Sequence, residues 1–197
     1  MHYGRLHWYL PSELDDQQRE YYDRLLAGPR ATASLVDEKG RLYGAFNARL
    51  LDPPVGTAIQ ELGAALRFGS RLPGRAREIV ILEVARSERC DYEWAAHAEA
   101  GLAAGLTGDE IAGLRAGALV PSLSGQEARI RELAQHLAAR RDLSDEEFAA
   151  AERDVGPACL FDIVSLVGHY QHTAMALRVW RTPLREGATA SFADETA

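Results

Sequence analysis

Most of the chain is patterned as helix, and one stretch departs from the usual amphipathic form. Over residues 124–140 apolar and polar positions separate onto two helical faces, the pattern of a helix lying on a core. After Pro73 the pattern changes. Ile79, Val80, Ile81 and Leu82 follow one another and are succeeded by Val84 and Ala85. Four consecutive aliphatic side chains leave no polar face, so this helix is expected to be buried nearly all round. Glu78 and Glu83 lie in or beside that run, where a carboxylate needs a partner or an altered protonation state.

The rest of the chain is punctuated into further helices. Pro11-Ser12 precedes a first helix over residues 13–26, closed by Gly28-Pro29. A short helix over 44–51 stops at Asp52-Pro53-Pro54, and another over 55–68 ends at Gly69. Pro73 opens the buried helix at a favoured first-turn position. Residues 90–104 follow, with Gly105 as the stop, and Thr107-Gly108-Asp109-Glu110 reads as the cap of the next helix. Ser144 and Glu147 fit a capping box before a helix over 148–153. Residues 158–180 form a long apolar helix ending at Thr182-Pro183. Ser34-Leu35-Val36 and Arg41-Leu42-Tyr43 flank Asp37-Glu38-Lys39-Gly40, which reads either as a short hairpin near residues 34–43 or as a loop. The start of the chain, with His2 and His7, is expected to be mobile, and the polar tail from Glu186 is expected to fray. With no linker, repeat or low-complexity stretch, residues 1–197 are expected to form a single all-α domain.

Composition narrows the function. Apolar residues at 47% and charged residues at 26% are ordinary for a globular chain of 197 residues, long enough to bury a real core. No apolar run approaches the roughly 20 residues needed to span a bilayer, and the first residues lack the apolar core of an export signal. The expectation is therefore no membrane association. Cys90 and Cys159 are far apart and suggest no disulfide framework, so a reducing cytoplasm is the default location. A net charge of −7 removes the main attraction to phosphate and argues against nucleic acid as a partner.

Candidate chemistry concentrates in Arg77-Glu78 and in the run from Cys90 through Tyr92, Glu93 and Trp94 to His97. On a helix Cys90, Glu93, Trp94 and His97 share a face, and Glu93 and His97 are an i, i+4 pair. That spacing sets a carboxylate beside an imidazole, a common acid–base combination. An antiparallel return of the preceding helix would bring Glu78 to the same spot. Taken singly each residue has a plainer reading: a solvated Glu/His pair, an inert buried thiol, a core tryptophan, a carboxylate paired with Arg75 or Arg77. Together in an apolar setting they would titrate as a coupled group, because desolvation and a second carboxylate favour the acidic form while the imidazole between them favours its cation. His169 and His172 lie three apart on the last long helix and are further pocket candidates. No compact metal-ligand motif such as HExxH occurs, so no metal site is expected.

Glu78, eleven residues, Cys90, two residues, position 93, three residues and His97 together match a family spacing. It resembles the Glu-x11-Cys-x2-Cys-x3-His pattern of the alkyl hydroperoxidase D branch of the carboxymuconolactone decarboxylase superfamily. Leu72-Pro73 ahead of Arg77, and Ala103, Gly105 and Leu106 after His97, agree with it. The Tyr92-Glu93-Trp94-x-x-His97 version looks like the cysteine-poor branch, and the resemblance covers about residues 44–185. It implies an alkyl hydroperoxidase D-like helical bundle, a small-molecule substrate, and assembly into trimers, or into dimers or hexamers.

The departure from the pattern carries the functional expectation. Peroxidase members use two cysteines, and here the peroxide-attacking position is Glu93, leaving Cys90 only in the partner position. A Cys-x-x-Cys redox cycle cannot run on this chain. The resemblance then implies cofactor-free acid–base catalysis, decarboxylation or isomerisation, on a small organic acid, lactone or carbonyl compound. His97 would be the general acid/base, with Glu93 orienting it or sharing its proton and Glu78 completing the relay. Cys90, Tyr92, Trp94, Arg77, His169 and His172 would line the pocket. The alternatives are an alkylhydroperoxidase-like antioxidant protein working through Cys90, or a non-catalytic oligomeric protein that binds a ligand.

Overall fold

The computed structural model describes residues 1–31 and 35–192. Its internal contacts fall into two compact units, Met1–Gly69 with Met175–Pro183, and Ser70–Ala174 with the chain from Leu184 onward. Strands among the described residues are confined to the start of the chain, and helices form the rest of the regular structure, so the all-α expectation holds.

In the first unit β1 (His2–Tyr3) pairs antiparallel with β2 (Leu6–His7) across a turn in which Gly4 has φ +66°. A side chain at Gly4 would collide with the Arg181 carbonyl, so this turn needs glycine on both counts. The expected mobility of this segment is corrected here. Tyr3 stacks on Trp8 at 4.6 Å, the Trp8 indole N–H donates to the Leu42 carbonyl at 2.8 Å, and the Gly44 N–H donates to the Tyr3 hydroxyl at 3.0 Å. Aromatic anchoring outweighs the fraying that a polar terminus otherwise shows.

Of the segment near residues 34–43, Ser34 lies outside the described residues. The remainder is a turn closed by one antiparallel bridge, Val36 to Leu42, and by the Arg41–Asp37 ion pair. The first helix begins later than its sequence suggests. Pro11–Glu13 form a separate 3-10 turn, because the Glu13 carboxylate folds back to accept from the Leu10 N–H at 2.7 Å. Helix α1 (Asp16–Ala27) then starts at an Asp15/Gln18 capping box. Helix α2 (Ala45–Ala48) tightens into a 3-10 turn at Arg49–Leu51, and α3 (Pro53–Phe68) is capped by Asp52. Tyr21, Tyr22, Leu25, Leu35, Leu42 and Leu50 form the core of this unit.

The second unit contains α4 (Gly74–Ser87), α5 (Asp91–Ala103), α6 (Gly108–Ala116), α7 (Gly125–Arg140) and α8 (Asp145–Val155), with α9 (Pro157–Val179) as far as Ala174. Every residue of α4 from Glu78 to Ala85 is buried, as its unbroken aliphatic run requires, and α5, α6 and α7 pack around it. Ile79, Leu82, Trp94, Leu106, Leu114 and Val120 meet in one core cluster. Side-chain caps at Thr107, Ser124 and Ser144 start α6, α7 and α8.

The two acidic residues of α4 are both partnered, in different ways. Glu83 accepts from Arg131 Nε at 2.6 Å and from Arg86 Nη2 at 2.8 Å, a structural ion cluster. Glu78 faces α5. The expected fraying of the tail from Glu186 is also corrected through residue 192. The Ser191 and Phe192 N–H groups donate to Asp91 Oδ1 at 2.6 and 2.7 Å, and the Phe192 ring stands edge-on to Trp94 at 5.3 Å. The tail beyond Phe192 lies outside the described residues.

Candidate active site

The chain turns from α4 into α5 through Arg89, at φ +49°, and Cys90, whose N–H bonds back to the Ala85 carbonyl. This tight reversal lays α5 along α4 and sets Glu78 opposite His97. Glu78 Oε2 is 2.7 Å from His97 Nδ1, and the other ring nitrogen, Nε2, is 3.5 Å from Glu93 Oε2. All three side chains are buried, with Glu78 1%, Glu93 7% and His97 9% exposed. The imidazole therefore stands between two carboxylates, one from each helix.

Two neighbours complete the group. The Arg77 guanidinium lies 3.5 Å from Glu78 Oε1, placing a cation on the far side of that carboxylate. Tyr170, from α9, stands edge-on to His97 with ring centroids 5.0 Å apart. A proton on His97 Nδ1 is donated to Glu78, which leaves Nε2 as the nitrogen with a lone pair. Such an imidazole can take a proton at Nε2 and return it, while Glu78 keeps the ring oriented. Among the described residues no group of three or more His, Cys, Asp and Glu side chains is arranged to hold a metal ion.

The other sequence candidates are placed as follows. Cys90 is buried at the N-cap of α5 and Cys159 is half-buried, and both are free thiols. Burial and the nearby Asp162 carboxylate push the Cys159 thiol up, holding it protonated. Trp94 is a core residue, covered by Phe192. Tyr92 lines a cavity whose walls include none of Glu78, Glu93 or His97, and its hydroxyl accepts from Arg185 Nε at 3.3 Å. His169 is buried, edge-on to Tyr170 at 5.3 Å, whereas His172 is exposed on the outer side of α9. Sequence reasoning missed Tyr170 as a site residue, although it sits between those two histidines. Its only sequence signal is a large aromatic residue in the apolar register of α9.

Residues 53–136 match the model of the carboxymuconolactone decarboxylase family. That segment contains α4 and α5 and with them the whole Glu78–His97–Glu93 group. Two solved structures share the fold over nearly the full length. One is an uncharacterized peroxidase-related protein from Silicibacter sp. TM1040, with a TM-score of 0.74 and 15% identity, covering 98% of this chain and 97% of that one. The other is an uncharacterized peroxidase-related protein with an alkylhydroperoxidase AhpD core from Ralstonia eutropha JMP134, with a TM-score of 0.75 and 13% identity, covering 94% of each chain. At these identities the likeness establishes the fold. No curated protein matches this sequence. Residues 53–136 are thus similar to the carboxymuconolactone decarboxylase family, within a fold shared with these two structures.

Proposed function

We propose that the protein is a cofactor-free acid–base enzyme that decarboxylates or isomerises a small organic acid, lactone or related carbonyl compound. The observation that carries this reading is the buried His97 ring held between Glu78 and Glu93. In the proposed reaction His97 Nε2 removes a proton from the carbon next to the substrate carbonyl. The electron pair moves onto the carbonyl oxygen as an enolate. His97, now doubly protonated, is stabilised by both carboxylates and returns the proton to a different carbon, which completes an isomerisation. In a decarboxylation the C–CO2 bond breaks instead and its electrons form the enolate. His97 enters this reaction doubly protonated, protonates the carbon left behind, and regains its proton from solvent after each turnover. Acid–base assistance of this kind contributes about 10²–10⁴ in rate.

A second reading has one observation in its favour: Cys90 sits at the head of α5, next to the same group in sequence. Peroxide would convert its thiolate to a sulfenic acid, with water or an alcohol leaving. Since position 93 is Glu, reduction would then require Cys159 or a thiol from outside the chain.

The reading also includes self-association. Phe161, 71% exposed, Val164, 47% exposed, Gly168 and His172 lie along one outer face of α9. A bulky apolar residue and a glycine seven positions apart on one stripe are self-complementary in a two-fold pairing, so a second copy of this chain is the proposed occupant. Light scattering should show an oligomer that Phe161→Glu dissociates; a monomeric native chain would end this part of the reading.

The functional test is turnover, followed by absorbance and carbon dioxide release, on carboxymuconolactone-type lactones and β-keto acids, with a hydroperoxide assay in parallel. Turnover lost in Glu93→Gln and retained in Cys90→Ser supports proton transfer. Hydroperoxide consumption that needs Cys90, with silence on the carbonyl panel, replaces it with the redox reading.

A further inference from the structure

On α5, outside the Glu78–His97–Glu93 group, a cavity of about 490 Å3 lies between the helix and residues 184–191. Small-molecule sites run from about 300 to 1,000 Å3. The space exists because small residues meet across it. Ala95, Ala96 and Ala98 form the helix side, and Gly187 and Ala188 stand on the tail side. The tail segment is nevertheless fixed at its far end, by the two N–H bonds to Asp91 and by Phe192 against Trp94. It therefore arches over the alanines with its end pinned to the helix.

The polar groups around this space carry both signs. Arg185 and Tyr92, whose guanidinium and hydroxyl are joined at 3.3 Å, are among its lining residues. Glu99 and Glu186 also line it. A simple anion would meet two carboxylates and a simple cation would meet the guanidinium. A molecule bearing one charge of each sign satisfies both, with its apolar part against the alanines and Trp94.

We propose that this cavity binds a small apolar amino acid, or an amino-carboxylate of that class, with its carboxylate toward Arg185 and Tyr92 and its ammonium toward Glu99 and Glu186. The site is distinct from the catalytic group, since none of the three catalytic side chains lines it. Binding there would tie the tail to α5, the helix that carries Glu93 and His97.

Isothermal titration of the full chain with L-phenylalanine and L-leucine tests this. At least one should bind saturably, one molecule per chain. The single-charge analogues 3-phenylpropanoate and 2-phenylethylamine should bind at least tenfold more weakly than L-phenylalanine. Arg185→Gln should weaken binding at least tenfold, and Ala96→Leu, which fills the space, should abolish it, both with native circular dichroism. Absence of saturable binding by both amino acids, equal binding of the analogues, or undiminished binding to Ala96→Leu would each overturn the proposal.

Discussion

His97 Nδ1 lies 2.7 Å from Glu78 Oε2 across the α4–α5 reversal, although nineteen positions separate them in sequence. Glu78 is 1% exposed, so its carboxylate spends its hydrogen-bonding capacity on protein groups, and its main visible partners are this ring and Arg77. A carboxylate in that position orients the imidazole and stabilises its cation, as a base that must gain and lose a proton requires.

Two substitutions separate those roles. His97→Ala removes the base and should lower turnover by about 10²–10⁴. Glu78→Gln keeps the shape and an acceptor oxygen for Nδ1–H but removes the charge, and should lower turnover by about 10–100-fold. Far-ultraviolet circular dichroism should be native in both. Full activity in Glu78→Gln would mean that the carboxylate charge plays no part.

Glu83, five positions along the same helix, should behave in the opposite way. Its carboxylate is fully enclosed and shared by Arg131 and Arg86. Glu83→Ala leaves the buried Arg131 guanidinium without that charge and should cost about 3–5 kcal/mol, read as a lower urea midpoint. A loss below about 1 kcal/mol would show that solvent reaches the cluster and screens it.

Glu110 makes acid stability predictable in sign. The Arg75 guanidinium, opposed by burial and helped by the Thr107 N–H and the Ser122 hydroxyl, holds its carboxyl at about 2, against an ordinary value of 4.5. A carboxyl lowered on folding stabilises the native state above its unfolded value. That contribution falls away as pH drops from 4.5 through about 2. Thermal melts of the wild type should therefore lose stability across this interval. Glu110→Gln should be less stable at pH 7 and should lose less between pH 5 and 2. A variant whose melting temperature falls in parallel with the wild type over that range would exclude Glu110 as a source of the acid sensitivity.

Phe192 should hold the tail to α5. Removing its ring in Phe192→Ala forfeits the edge-on contact with Trp94, worth about 0.5–1.5 kcal/mol. Limited proteolysis should then cut between residues 184 and 191 faster than in the wild type. Unchanged cutting would show that the two Asp91 hydrogen bonds are sufficient by themselves.

The sequence alone determined what local chemistry controls. Ile79–Leu82 without a polar face required a helix enclosed by others, and Thr107 and Ser144 marked helix starts through their own side-chain bonds. The i, i+4 spacing of Glu93 and His97 fixed their adjacency before any tertiary contact formed. Tertiary structure decided the rest, because it depends on which faces meet. Burial and residue type alone do not distinguish Glu78 from Glu83: both are acidic residues in the same apolar run, and only the resemblance to a family spacing singles out Glu78. The direction each faces on α4 gives one an imidazole and the other two guanidinium groups. The same holds at both ends of the chain, where a polar composition suggested mobility. Trp8 finding the Leu42 carbonyl, and Phe192 finding Trp94, are contacts between residues far apart in sequence. Composition averages over a segment, whereas one well-placed aromatic side chain is enough to anchor it.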